Sequence, residues 1–280
     1  MKRRLILGLL AALAWGRCAG DDDRVWRDYL AWFRQQSTTP ADPVAAYVEH
    51  LKRSGMGAAE AGERAKSVAR LMRERRDEWQ AAFFDKTYTS QTPRFNSRPN
   101  ALLVETVSQL NRKPGRALDI HMGQGRNAVY LARQGWLVTG FDYSKEGIAA
   151  AHRAAKEAGV SLTATVARHE GFDFGSGQWD LIVMSYTWVP LEAQWIDRIS
   201  RALRPGGLLV FEHLMDESGG DNAPSWLPRA NELPRLFARL RILRYEDVRA
   251  RADWSWRPER IAKLVAERDP VIEQAQPRER

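Results

Sequence analysis

The chain has 280 residues, 44% of them hydrophobic, and a formal net charge of +8 at pH 7. That length and apolar fraction belong to a soluble globular protein with room for one α/β domain, or a domain and an appendage. Cys18 is the single cysteine, which excludes a disulfide framework, no His/Cys cluster marks a metal, and no basic run with interleaved aromatics points to nucleic acid.

The first twenty residues form a separate unit. Lys2, Arg3, Arg4 and Arg17 carry four of the positive charges, Leu5 to Trp15 is apolar, and Gly16-Arg17-Cys18-Ala19-Gly20 is a small-residue region before Asp21. Residues 1–20 are therefore expected to be a secretory signal peptide or membrane anchor, with cleavage after Cys18. The protein is then exported or membrane-tethered; the alternative is a cytoplasmic body behind an uncleaved start. Residues 21–84 read as a helical region. Val25, Trp26, Tyr29, Leu30 and Phe33 recur near a 3.6 period, as do Val44, Tyr47, Val48 and Leu51. Pro40 and Pro43 separate these two helices, and one longer helix is expected over Ala58–Phe84.

Residues 85–280 form the third region. After an approach segment, βα alternation becomes regular. A helix over 101–110 precedes strands at 116–120, 136–141, 161–166, 179–185, 207–212, 239–246 and 261–268. Helices are expected at 126–134, 145–158 and 194–203. Such alternation implies a doubly wound, mostly parallel seven-stranded α/β sheet with an N-terminal helical appendage.

The stretch Asp119-Ile-His121-Met-Gly123-Gln-Gly125-Arg-Asn127-Ala128 carries the chemistry. An apolar strand ends at an acid, a glycine turn follows, a helix opens, and the next strand ends at Asp142. The glycines let a backbone approach a ligand closely, and Asp142 falls where a carboxylate takes ribose hydroxyls, so a nucleoside is the expected ligand. With the Leu203-Arg-Pro-Gly-Gly207 turn before the fifth strand, the region from about residue 85 to 270 resembles the class I S-adenosylmethionine (SAM)-dependent methyltransferases. Within them, Met122-Gly-Gln-Gly-Arg-Asn-Ala128 is similar to the branch that includes the tellurite-resistance methyltransferases. The resemblance implies a Rossmann-like sheet with an antiparallel last strand, SAM as cofactor, and methyl transfer to a small-molecule acceptor.

It further implies a cofactor site made of Asp119, His121, Gly123, Gly125, Asn127, Asp142, Tyr143 and Ser185. His169 and Glu170 stand nearest the acid that takes the adenine amino group, with Phe172 or Phe174 as a wall. His121 departs from the family, which usually has glycine there. In related methyltransferases the approach segment covers the cofactor, so the resemblance makes Tyr88, Arg94 and Asn96 candidates for such a cover, with Arg94 a candidate partner for the methionine carboxylate. Candidates on the acceptor side are Tyr186 and His213 after the fourth and fifth strands, then Trp226, Trp254 and Trp256. Two other readings stay open, an NAD(P)-dependent oxidoreductase and a non-catalytic nucleoside-binding protein.

Overall fold

The structure is a computed structural model and describes residues 6–90, 95–110, 113–219, 223–253 and 258–269. Two compact units divide between Pro93 and Arg94. The first is all helix: α1 (Ile6–Gln35), α2 (Pro43–Arg53), α3 (Ala58–Glu74) and α4 (Arg76–Thr89). The side chain of Asp42 caps α2 by accepting the N–H groups of Val44 and Ala45, and Pro43 takes the first helical position, where its missing N–H costs nothing. Trp26, Tyr29, Phe33, Tyr47, Val68 and Leu71 form the buried core.

One expectation fails here. The helix anticipated over Ala58–Phe84 is two helices, because Arg75 leaves the helical region (φ −108, ψ 40), and the second runs on to Thr89. The apolar period continues across that break, so sequence periodicity alone does not register it.

The second unit holds α5 (Ala101–Ser108), β1 (Arg116–Ile120), α6 (Arg126–Arg133), β2 (Leu137–Asp142), α7 (Lys145–Glu157), β3 (Thr163–Val166) and β4 (Trp179–Ser185). They are followed by α8 (Ala193–Ala202), β5 (Leu203–Leu214), α9 (Glu232–Leu236), β6 (Arg241–Arg251) and β7 (Pro258–Glu267). The sheet order is β3-β2-β1-β4-β5-β7-β6, parallel except for β7, which runs antiparallel to both β5 and β6. The short helix α9 was not anticipated; a five-residue helix carries too little period to read.

Alternation along the central strands puts apolar side chains on both faces. Leu118, Ile120, Ile182, Met184, Leu209 and Phe211 pack on one side. Ala117, Leu181, Val183, Leu208 and Val210 pack on the other, against Leu103, Ala128, Leu131 and Ile148 of the helices. Strands buried on both faces need helices over both, which is the doubly wound arrangement. Chain order reverses between β1 and β4, so the crevice outside their carboxyl ends is where such a sheet binds ligands.

Candidate cofactor and acceptor site

The glycine turn is built from backbone conformations that L side chains resist. His121, Gly123 and Gly125 have φ of 52, 53 and 78°. Gly125 cannot change for a second reason: a Cβ there would lie 2.8 Å from the Cβ of Ala151 in α7. The turn is thus wedged between β1 and α7, and Gly125 delivers the chain into α6.

Asp142, buried at the end of β2, holds the turn from the other side. Its Oδ2 accepts the Gly123 N–H at 2.9 Å and its Oδ1 the Ser144 N–H at 2.8 Å. Ser144 then caps α7 by accepting the Gly147 N–H. Asp119, at the end of β1, is equally buried, and its Oδ2 has no hydrogen-bond partner. Burial lifts its carboxyl to about 7, the neighbouring Asp142 adds to the rise, and Arg126 with the Ala128 N–H works against it.

The approach segment lies along this turn. Gln124 donates to the Asn96 carbonyl at 3.0 Å, Arg126 to the Arg98 carbonyl at 2.8 Å, and Asn127 accepts the Asn100 N–H at 2.8 Å. The side chain of Asn127 therefore fastens the polypeptide. Asn100 also caps α5 through the Leu103 N–H. Arg94 lies outside the described residues, as do Trp254 and Trp256. Tyr88 belongs to the helical unit and packs against Phe84.

Other candidates separate into two groups. His121, Tyr143 and His169 come together: the His121 ring meets Tyr143 edge-on at 5.1 Å and lies 5.4 Å from His169, which is itself edge-on to Trp195 at 4.7 Å. The Nδ1 of His121 accepts the Trp188 N–H at 3.2 Å, tying the glycine turn to the loop after β4. Glu170 reaches this group through His169, whose Nε2 lies 3.3 Å from its carboxylate. It is exposed and also pairs with Arg168 at 3.1 Å; partial burial raises its carboxyl, but Arg168, its own backbone N–H and His169 together hold it below the usual range. Phe172 stacks on Phe141 at 4.2 Å, while Phe174 is fully buried in the core.

The second group is a polar network at the ends of β4 and β5. Tyr186 (φ 57) donates its hydroxyl to Glu212 at 2.7 Å and accepts the Asp253 N–H at 3.2 Å. Asn100 donates to both carboxylates, Glu212 at 2.8 Å and Asp253 at 3.2 Å. Arg126 donates to Asp253 at 2.6 Å and to the Ser185 hydroxyl at 3.2 Å, and Lys263 stands 3.9 Å from Glu212. Burial first, then Glu212, push the Tyr186 phenol above the range in which it ionises. His213 is buried; a carbonyl can only accept, so its Nδ1 carries the proton that meets the Leu214 oxygen at 3.0 Å. Burial lowers its pKa to about 4, although the Leu214 and Thr187 carbonyls favour the charged form. Trp226 stacks on Trp188 at 5.0 Å with planes 11° apart.

Asn100, Arg126, Glu212 and Asp253 escaped assignment from sequence. Arg126 carried a signal, its place in the glycine turn; Asp253 carried none. Among the described residues no group of His, Cys, Asp and Glu can hold a metal.

The site suits a nucleoside that carries an ammonium group. A buried carboxylate oxygen and a buried imidazole nitrogen are left without partners beside the turn, and a second carboxylate closes the β2 end. Residues 117–207 match the family described as a methyltransferase domain. No curated protein sequence matches the chain. Solved structures do match. One, described for conversion of a disulfide bond into a thioacetal group during echinomycin biosynthesis, is 19% identical with a TM-score of 0.54, over 74% of this chain and 100% of that one. TehB from Haemophilus influenzae is 18% identical with a TM-score of 0.52, over 68% and 67%. The [4+2]-cyclase SpnF is 22% identical with a TM-score of 0.50, over 60% and 80%. Identities this low speak to the fold, which is common to all three. Residues 117–207 thus match a methyltransferase domain, set in a fold that these solved structures share.

Proposed function

We propose that this protein transfers a methyl group from SAM to a small-molecule acceptor bound at the ends of β4 and β5. The observation that carries the reading is the pair of buried carboxylates, Asp119 and Asp142, flanking a turn with three positive φ angles. Asp119 offers its unpartnered oxygen to an ammonium group, and Asp142 stands at the end of the second strand, where a carboxylate meets ribose hydroxyls. An NAD(P) reading is disfavoured by the same feature, since a carboxylate beside the turn repels a pyrophosphate.

When bound, SAM supplies an electrophilic methyl group on a sulfonium. Displacement at that carbon asks the protein for alignment and exclusion of water more than for a strong acid or base. The residues on the acceptor side answer that demand. Tyr186 keeps its proton at neutral pH and donates it to Glu212, so it positions the β4 loop and does not act as a base. His213 is neutral at pH 7, with Nε2 bare and without a partner. With a pKa near 4 it takes a proton only from an acceptor that becomes strongly acidic as it is methylated. Trp188, in the loop after β4, stacks on Trp226 and supplies an apolar face. Residues 1–20 we assign to export or membrane tethering, on the basic start and apolar run described above.

Incubating the full chain with methyl-labelled SAM and a panel of oxygen, nitrogen and sulfur nucleophiles tests the reading. Label should pass to one class of acceptor. Cofactor binding with no transfer to any class leaves a non-catalytic nucleoside-binding protein instead.

A further inference from the structure

His121 is at odds with its surroundings in two ways at once. A non-glycine residue at φ 52 is conformationally unfavourable, and strain of this kind persists where the structure has a use for it. Its hydrogen bonding is also incomplete. The Trp188 N–H can only donate, so Nδ1 presents a lone pair. Burial above all, with His169 and Arg168 nearby, holds the pKa of the ring well below its ordinary value, so the imidazole is neutral. The one remaining proton then sits on Nε2, and Nε2 is buried without a partner. A lone buried N–H donor is costly and calls for an explanation.

The neighbours say what would satisfy it. Phe141 and Tyr143 belong to the end of β2 on either side of Asp142, and His169 follows β3; their rings lie 5.6, 5.1 and 5.4 Å from the His121 ring. In an open α/β sheet the acid at the end of the second strand marks the ribose. A base attached to that ribose lies toward the third strand, the side on which Tyr143 and His169 stand, while Phe141 backs the site from the core. None of the three offers the Nε2–H an acceptor.

We infer that His121 determines specificity within the cofactor site, donating its Nε2–H to a ring nitrogen of the bound adenine. The bond from Trp188 fixes the ring beforehand, so the donor is oriented before the ligand arrives. The same bond couples base recognition to the loop that carries Tyr186 and Trp188 on the acceptor side. The inference rests on the cradle being a SAM site.

Calorimetry of the full chain with S-adenosylhomocysteine tests it. His121→Gly removes the donor and relieves the backbone, so affinity should fall about tenfold, the size of one hydrogen bond, with no loss of Tm. Among 1-, 3- and 7-deaza analogues, one should lose the same factor against wild type and nothing further against His121→Gly. An unchanged or tighter affinity in His121→Gly overturns the inference, the tighter case making the imidazole a plug. Failure of wild type to bind S-adenosylhomocysteine at all would instead remove the cofactor reading. Nitrogen-15 spectra of histidine-labelled wild type give a second readout: an Nε2–H tautomer whose proton moves downfield on saturation is expected, and a proton on Nδ1 contradicts the assignment.

Discussion

Asp119 is a buried acid whose charge costs the folded chain something unless a ligand balances it. Its native pKa of about 7 lies above the value of roughly 3.9 for an unfolded aspartate. Between those values the native state binds more protons than the unfolded state, so this residue's effect lowers stability as pH rises from about 4 to 7. Asp119→Asn removes the ionisation. The variant should gain Tm over wild type at pH 8, with the gain shrinking toward pH 4, in thermal unfolding followed across pH. Binding should move the opposite way. An ammonium group needs the ionised carboxylate, so wild-type affinity for S-adenosylhomocysteine should weaken as pH falls below 7. The Asn variant should bind weakly throughout, with a flatter profile. A Tm gain that grows toward low pH would contradict this account of Asp119.

At the scale of elements, α1 bears directly on the assignment of residues 1–20. The helix runs without interruption from Ile6 to Gln35, yet its first described buried residue is Val25. Asp22 ties it to Arg70 of α3 and Asp23 to Arg75 at the break between α3 and α4, so a chain beginning at Ala19 keeps both the described core and these ion pairs. Sequencing the mature N-terminus should give Ala19, and a chain shortened to that point should keep the Tm of the full one. A retained Met1 in a cytosolic fraction would remove the assignment to export.

The strands β1 and β4 stand where the apolar runs placed them, because a run buried on both faces and bounded by turns has sharp ends. The glycine turn and Asp142 were equally legible, since their residue types answer to backbone geometry. The polar network was not. Asn100 and Glu212 are 112 residues apart and Asn100 and Asp253 are 153 apart, and only the tertiary fold brings them together. Glu170 stands beside His169, as neighbours in sequence can, and it also bonds the local Arg168, a pairing that sequence position alone does not announce.

For the whole molecule, fold and function must be kept apart. The fold is shared with proteins of different chemistry, a [4+2]-cyclase among them. What distinguishes this chain is the content of its crevice: two buried carboxylates, an imidazole at positive φ, and a fastened approach segment. The central claim is that this crevice is a SAM site. Calorimetry of the full chain with S-adenosylhomocysteine, beside the Asp142→Ala variant and an NADH control, tests it most directly. The account predicts that wild type binds S-adenosylhomocysteine, that Asp142→Ala weakens this at least tenfold while remaining folded, and that NADH gives no heat. Binding of NADH alone, or equal affinity in the two proteins, would contradict it.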